Sequence, residues 1–237
     1  MTDLMGRIIA SRLTKSVLAS GTLLAALPAS AADEDVGLWN AQFVRFDVDK
    51  KNNVFVRLES QQRFNEDVGR IGQFVGRVLV AYRFNPQVNL GAGYAYVQTT
   101  SNATPEGFTY EHRTYQELGY RVLNKPGLRI DTMSRLEQRQ WTNLPDFSHR
   151  ARMMVQVHAP LGKNGLGPVI SVEPFFNLND QPSHPGGFDQ IRTFGGVFIP
   201  VNRKADVIVG YLNLYQPREG REDRMDHIIW LRTFVRL

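Results

Sequence analysis

Residues 128–141 decide the fold, and they read Leu-Arg-Ile-Asp-Thr-Met-Ser-Arg-Leu-Glu-Gln-Arg-Gln-Trp. The positions from Leu128 to Leu136 on one face are apolar or small, whereas the opposite face carries charges of both signs. Successive side chains of a β-strand point to opposite faces, so this alternation predicts a strand with one apolar face and one charged face.

The same alternation recurs along the chain between clusters of Gly, Pro, Asn and Asp. It predicts strands at 54–64, 71–84, 88–99, 109–122, 128–141, 148–161, 168–179, 188–200, 205–215 and 226–237, with a short further candidate at 38–47. Strands of globular proteins average about 5 to 6 residues, whereas a tilted strand that crosses a bilayer needs about 9 to 11. The lengths therefore predict an all-β fold, a transmembrane antiparallel β-barrel of about 10 to 12 strands.

The count of strands bears on the segment 38–47. Bacterial single-chain barrels have even numbers of strands, and this candidate would make an eleventh. We therefore expect Trp39 to Asp47 to be a partial strand or to fold into the lumen.

The charged faces of the strands are predicted to line the barrel interior. Most arginines lie within strands, where guanidinium groups can pair with carboxylates, whereas lysines such as Lys125 and Lys204 lie in turns. Arginines outnumber carboxylates in this luminal set, which consists of Arg57, Glu59, Arg63, Arg77, Arg83, Glu111, Arg113, Glu117, Arg121, Arg129, Asp131, Arg135, Glu137, Arg139, Arg150, Arg152, Glu173, Arg192, Arg232 and Arg236.

Residues 1–31 have the pattern of a secretory signal peptide. Arg7, Arg12 and Lys15 precede a weakly polar run at 16–27, and Ala29 and Ala31 offer small residues for cleavage. We expect cleavage after Ala31, which leaves residues 32–237 as the barrel domain. An exported chain meets no nucleic acid, although its net charge is +5. The sequence has no cysteine, which excludes disulfides and thiolate metal sites.

The C-terminal strand and the loop lengths predict a location and an orientation. The strand 226–237 is amphipathic to its last residue and resembles the targeting strand of outer-membrane barrels. The connections at 100–108, 180–187 and 216–225 are long and polar, so we expect them to face outward from a Gram-negative outer membrane. Tyrosines and Trp141 near strand ends are expected in the interfacial aromatic girdles.

Several motifs resemble those of an uncharacterised family of Gram-negative envelope proteins, domain of unknown function 2490. The resemblance covers about residues 38 to 237. It rests on Trp39, Gly93-Tyr94, Glu111-x-Arg113, Arg135-Leu136-Glu137-x-Arg139, Arg150-x-Arg152, Glu173-Pro174-Phe175, Arg192 with Gly195, and Gly210-Tyr211. It implies an outer-membrane barrel and no particular activity.

Three functions remain open from the sequence. The first is a narrow anion-selective channel for small acidic solutes, since the surplus arginines need hydration or bound anions. The second is a plugged structural barrel with self-paired charges. The third is a hydrolase at the rim that uses Glu111-His112, Ser148-His149 or Asp226-His227 across strands. We expect no enzyme activity, no cofactor and no metal; the expected partners of this monomer are outer-membrane lipid, the barrel-assembly machinery and small anionic solutes.

Overall fold

The structure of the protein is a computed structural model that describes residues 32–237 except 50, 52, 103–106, 143–146, 162–163 and 182–183. The predicted signal peptide, residues 1–31, lies outside the described residues. The described part of the chain is all-β, with eleven strands that close into a barrel. It contains no helix of the length and hydrophobicity that crossing a membrane requires.

The strands match the predicted segments closely. Long period-two stretches end at turn residues, so their boundaries can be read from the sequence within a few residues. The strands are β1 Ala32–Asp47, β2 Val54–Asn65, β3 Arg70–Arg83, β4 Val88–Thr100, β5 Phe108–Lys125, β6 Leu128–Trp141, β7 Ser148–His158, β8 Gly167–Asn177, β9 Gly187–Pro200, β10 Ala205–Gln216 and β11 Asp223–Arg236.

Each strand pairs with its neighbours in the chain, and β1 closes the barrel against β11. The pairings from β1–β2 to β10–β11 are all antiparallel. Because strand direction alternates and eleven is odd, β1 and β11 run in the same direction and the barrel is mixed. The backbone N–H of Leu237 donates to the carbonyl of Arg45 at 2.9 Å, which joins the two strands at corresponding ends.

The expectation for residues 38–47 was wrong, because this segment belongs to a complete strand of the wall. Leu38 to Asp47 pair in continuous register with β2. Without β1, strands β2 and β11 would each leave a row of backbone N–H and C=O groups unpaired. The strand therefore completes the hydrogen bonding of the barrel, and the preference for even strand numbers does not hold here.

The connections differ at the two ends of the barrel. One end, the loop rim, carries the connections at 66–69, 101–107, 142–147, 178–186 and 217–222. The other end, the turn rim, carries those at 48–53, 84–87, 126–127, 159–166 and 201–204. At 126–127 a two-residue turn uses Gly127 at φ 78°, a left-handed conformation that glycine adopts without steric cost. β1 begins at the loop rim and β11 ends at the turn rim. The two ends of the wall therefore lie at opposite rims, because the number of strands is odd.

The two faces of the wall differ in chemistry. Large apolar side chains such as Val80, Met153 and Ile170 are exposed on the outward face. The inward face combines charges with an apolar cluster from β1 and β8 to β11. That cluster consists of Trp39, Val169, Phe194, Ile208, Leu212, Leu214 and Ile228. A second apolar cluster on β2 to β5 includes Phe55, Leu79 and Tyr115, so apolar and charged groups share the interior of the barrel.

Candidate functional site

The charged residues of the predicted luminal set lie on the inward faces of their strands. Burial alternates along each strand, with the charged positions on the more buried side. Those near the middle of the barrel are buried, namely Glu59, Arg77, Glu111, Arg113, Glu117, Arg135, Glu137, Arg139, Arg150, Glu173 and Arg232. The part-exposed members Arg83, Arg121, Arg129, Asp131 and Arg236 lie toward the turn rim.

An ion-pair chain begins at Glu117 on β5. Arg57 Nη2 donates to Glu117 Oε1 at 2.8 Å, although two strands separate β2 from β5. The intervening strand β4 has the small residues Gly91, Gly93 and Ala95 at its inward positions, so the long side chains lie across it. Arg135 Nη2 also donates to Glu117, at 2.5 Å. One carboxylate thus joins two guanidinium groups from different strands.

Glu137 is the centre of the chain and is only 1% exposed. Its Oε2 accepts a hydrogen bond from Arg150 Nη2 at 2.7 Å, and its Oε1 accepts one from Arg152 Nη1 at 3.4 Å. Arg135 Nη1 lies 3.6 Å from the same Oε1. Arg152 continues to Glu173 at 2.5 Å. Charges from β2 and β5 to β8 are therefore connected without interruption.

Further pairs extend the network toward both rims. Glu111 Oε1 accepts hydrogen bonds from the Nε of Arg113 and of Arg139, each at 2.6 Å. Arg77 donates to Glu59. At the turn rim, further pairs are Arg121 and Arg129 with Asp131, Arg45 and Arg83 with Asp47, and Arg236 with Asp206. The sequence did not identify one acidic member, Asp189 on β9, which lies 3.2 Å from Arg150.

Among the described residues, three luminal arginines have no carboxylate partner. In the part of the chain that the structure describes, no carboxylate oxygen lies within 4.0 Å of Arg63, Arg192 or Arg232. Arg63 donates instead to the side-chain oxygens of Gln61 and Gln73, at 2.8 Å and 2.7 Å. Their positive charge is therefore not neutralised by direct pairing, and it remains available to an anion.

Two of these arginines lie against the indole ring of Trp39 on β1. The guanidinium carbon of Arg63 lies 3.9 Å from the centroid of the indole ring, and that of Arg192 lies 5.1 Å from it. Cation–π attraction offsets part of the cost of placing these charges in the interior. The resemblance noted Trp39 and Arg192 without a role for either, and the structure brings them together with Arg63.

Two cavities occupy the lumen beside these side chains. One, of about 260 Å³, extends toward the loop rim and is lined in part by Asp35, Gln190 and Arg224. The other, of about 320 Å³, extends toward the turn rim and is lined in part by Phe43 and Arg121. Four arginines line both cavities, and these are Arg63, Arg77, Arg152 and Arg192. The cavities therefore meet at a layer of guanidinium groups, the central arginine layer.

The structure does not bring the two members of each proposed histidine pair together, because adjacent residues of a strand face opposite sides of the wall. Glu111 faces inward and binds arginines, whereas Tyr94 Oη lies 2.5 Å from the outward-facing His112 Nδ1. His227 also faces outward, where its Nδ1 lies 2.6 Å from Tyr211 Oη and its Nε2 lies 3.8 Å from Glu34.

Asp226, the partner proposed for His227, binds Arg224 at 2.7 Å. Ser148 is buried, and its neighbour His149 is exposed. No group of His, Asp and Glu that could hold a metal ion occurs among the described residues.

Trp141 does not lie in an outward girdle, because it follows Arg139 on the inward face of β6. Its ring stacks on His184 of the loop after β8, with centroids 4.5 Å apart, and Arg139 lies 4.5 Å from its centroid. Burial, together with the positive charge of Arg139, lowers the pKa of His184 to about 4. A neutral imidazole thus lies over the charged lumen at the loop rim.

Comparison with known proteins identifies the family. An uncharacterized protein of Methylorubrum extorquens strain AM1 is 30% identical over 230 residues, which are 95% of this chain and 99% of that protein. A solved structure described as a bacterial polysaccharide outer membrane secretin is 16% identical, with a TM-score of 0.41 over 75% of this chain and 72% of that chain. Residues 36–226 match the family described as Protein of unknown function (DUF2490), and the chain therefore belongs to that family.

Proposed function

We propose that the protein is an outer-membrane β-barrel whose arginine-rich lumen conducts small acidic solutes selectively over cations. The barrel inserts as a monomer into outer-membrane lipid through the barrel-assembly machinery. The observation that carries this proposal is the position of Arg63 and Arg192. Both lie where the two cavities meet, and both lack a carboxylate partner within the described residues.

The wall supports a membrane location. Its strands contain 11 to 18 residues, and a bilayer-crossing strand needs about 9 to 11. Apolar side chains such as Val80, Met153 and Ile170 are exposed outward, while the charges point inward. This is the arrangement of transmembrane barrels, in which lipid-facing and lumen-facing residues alternate.

The charge of the lumen supports selectivity for anions. A cation that reached the central arginine layer would meet guanidinium groups from β2, β3, β7 and β9. An acidic solute would instead find charge-assisted hydrogen-bond donors on Arg63 and Arg192. Rings of arginine are one of the arrangements that make pores select anions.

Passage requires the central arginine layer to move, because its side chains separate the two cavities. Arg63 is held by amide hydrogen bonds and by Trp39, and Arg192 lies against the same ring; neither makes a direct ion pair with a described residue. A carboxylate or phosphate group can therefore draw these arginines away from Trp39 at a smaller cost than breaking an ion pair. The anion would pass from one cavity to the other as the side chains exchange partners.

Planar-bilayer recording tests the proposal. We expect the purified barrel to give currents whose reversal potential in a KCl gradient shows preference for chloride over potassium. The double variant Arg63→Gln, Arg192→Gln should reduce that preference, whereas Arg70→Gln, which removes a charge from the loop rim, should not. Absence of current, or preference for cations, would exclude the channel. Fractionation of cells with inner-membrane and outer-membrane markers tests the location separately.

The ion-pair chain favours a second candidate, a closed structural barrel. Arg57, Glu117, Arg135 and Glu137 bind one another across the lumen, and such pairing fills a narrow barrel without leaving a path. A barrel that is stably folded in bilayers but carries no current would establish this alternative.

A further inference from the structure

Arg232 on β11 differs from the other luminal arginines in its surroundings. It is 5% exposed, and its guanidinium carbon lies 4.2 Å from the ring centroid of Phe194 and 4.4 Å from that of Trp230. Two aromatic rings therefore support the guanidinium group. Its Nη1 lies 3.5 Å from Gln156 Oε1.

No described residue accepts a hydrogen bond from the remaining edge of Arg232. Its Nε and Nη2 are buried and make no hydrogen bond to any described residue, and the same is true of Trp230 Nε1. Nε and Nη2 together form the side of a guanidinium group that binds a carboxylate through two parallel hydrogen bonds. A buried donor without a partner costs free energy, and a buried charge without one costs more. Nε and Nη2 of Arg232 are therefore available to donate hydrogen bonds to an anion.

The carboxylates that line the same cavity are already bound to other arginines. Glu59 accepts from Arg77, and Glu173 accepts from Arg152. The other two, Glu117 and Asp131, each bind two arginines. Each of these four has an arginine partner closer than Arg232, which lies more than 4.0 Å from all of them. None of the carboxylates that line this cavity is therefore available to Arg232.

The walls of this cavity indicate the rest of the ligand. The cavity of about 320 Å³ that Arg232 lines is also lined by Phe43, Met133, Met154 and Phe234. The rings of Phe43 and Phe234 stack with centroids 4.7 Å apart, and Met133 pairs with Met154 across β6 and β7. Flexible methionines and aromatic rings accommodate apolar ligands of various shapes. A purely inorganic anion would leave these surfaces uncovered.

We propose that the cavity at the turn rim is a binding site for a monocarboxylate with an aromatic or alkyl body. Arg232 binds the carboxylate through Nε and Nη2, Trp230 Nε1 supplies a third donor, and the apolar body lies against Phe43, Phe234 and the methionines. This site differs from the central arginine layer, and binding there does not require that the barrel conduct ions.

Isothermal titration calorimetry of the purified full-length barrel in zwitterionic detergent tests the site, with benzoate as the probe. Benzyl alcohol has a similar body without the charge, and inorganic phosphate has the charge without the body. We expect saturable binding of benzoate, and an affinity at least about tenfold lower for each comparison ligand, since loss of a charge-assisted bidentate contact or of the apolar contact is of that order.

Variants assign the binding to these residues. Arg232→Gln should weaken benzoate binding about tenfold or more, and Trp230→Phe should weaken it less, because the ring remains and only the N–H donor is lost. Arg203→Gln removes an exposed charge from the turn between β9 and β10 and should bind benzoate as the unmodified chain does. If Arg232→Gln does not fold, Trp230→Phe and the comparison of benzoate with benzyl alcohol decide the question.

Equal affinity for benzoate and benzyl alcohol, undiminished binding in Arg232→Gln, or binding of phosphate without benzoate would each overturn the proposal. These results are independent of the bilayer recordings. A barrel that carries no current but binds benzoate through Arg232 retains the site, and an anion-selective barrel that ignores benzoate retains the channel.

Discussion

Replacement of Glu137 by glutamine tests whether the ion-pair chain stabilises the barrel. Glu137 is 1% exposed and lies within 3.6 Å of three guanidinium groups, so its loss leaves like charges facing one another in the interior. Removing one partner of a buried ion pair costs about 3–5 kcal/mol. Each affected arginine keeps a second carboxylate, namely Glu117, Asp189 or Glu173. We therefore expect a loss near the lower end, about 3 kcal/mol of unfolding free energy.

Urea unfolding in phospholipid vesicles, followed by tryptophan fluorescence, measures this loss. Glu66→Gln is the matched control, because Glu66 pairs with Arg70 at 3.1 Å but its side chain is 61% exposed. An exposed pair of this kind contributes less than about 1 kcal/mol. If Glu137→Gln and Glu66→Gln both changed stability by less than about 1 kcal/mol, luminal water would be screening the charges, and the chain of ion pairs would not hold the barrel together.

Three other predictions concern packing, a loop and the closing strand. Gly93→Val should destabilise the barrel by about 1–3 kcal/mol in urea unfolding, because any Cβ at this position meets the Tyr115 ring. Gly195→Ala should change unfolding in urea little, because a Cβ at that position has no atom within 4 Å. The pKa of His184 is lowered to about 4 in the folded loop, so protonation of its imidazole destabilises the loop. The stability of the loop should be complete above about pH 6.5 and should fall as the pH drops from there toward 4. Protease cleavage of the loop should increase over the same pH range, and it should not increase in His184→Asn. Deletion of residues 234–237 should prevent closure of the barrel, seen as loss of the folded fraction in vesicles; normal folding would refute the assigned pairing of β1 with β11.

The strands could be predicted from the sequence because charged and apolar positions alternate over long stretches. β6 shows this most clearly, and its predicted limits equal those of the strand. Residues 38–47 were found as a strand candidate, but their place in the wall was predicted wrongly because the rule of even strand numbers was applied to them. Closure requires β1 for hydrogen bonding between the edges of β2 and β11. The apolar cluster of β1 and β8 to β11 was also missed. On β10, Ile208 and Leu212 face inward while Val209 and Tyr211 face outward, so hydrophobicity does not alternate there.

Which arginines are paired could not be predicted from the sequence. Arg57 binds Glu117 across two intervening strands, a contact that depends on small side chains on β4. Arg232 has Trp230 and Phe234 two positions away on either side, and only the fold shows that its Nε and Nη2 have no acceptor among the described residues. The carboxylate that pairs with a given arginine depends on the register between strands that are distant in the chain, and the composition does not show that register.

The odd number of strands has a practical consequence for labelling. In a barrel with an even count, both ends of the wall lie at the same rim, whereas here the start of β1 and the end of β11 lie at opposite rims. In the membrane orientation that we propose, an epitope inserted before Asp33 and another attached after Leu237 would be reached by antibodies from different compartments. Joining the two ends to make a circular permutant would require a linker of roughly 35 Å along the barrel, given about 3.3 Å per strand residue and a tilt near 40°.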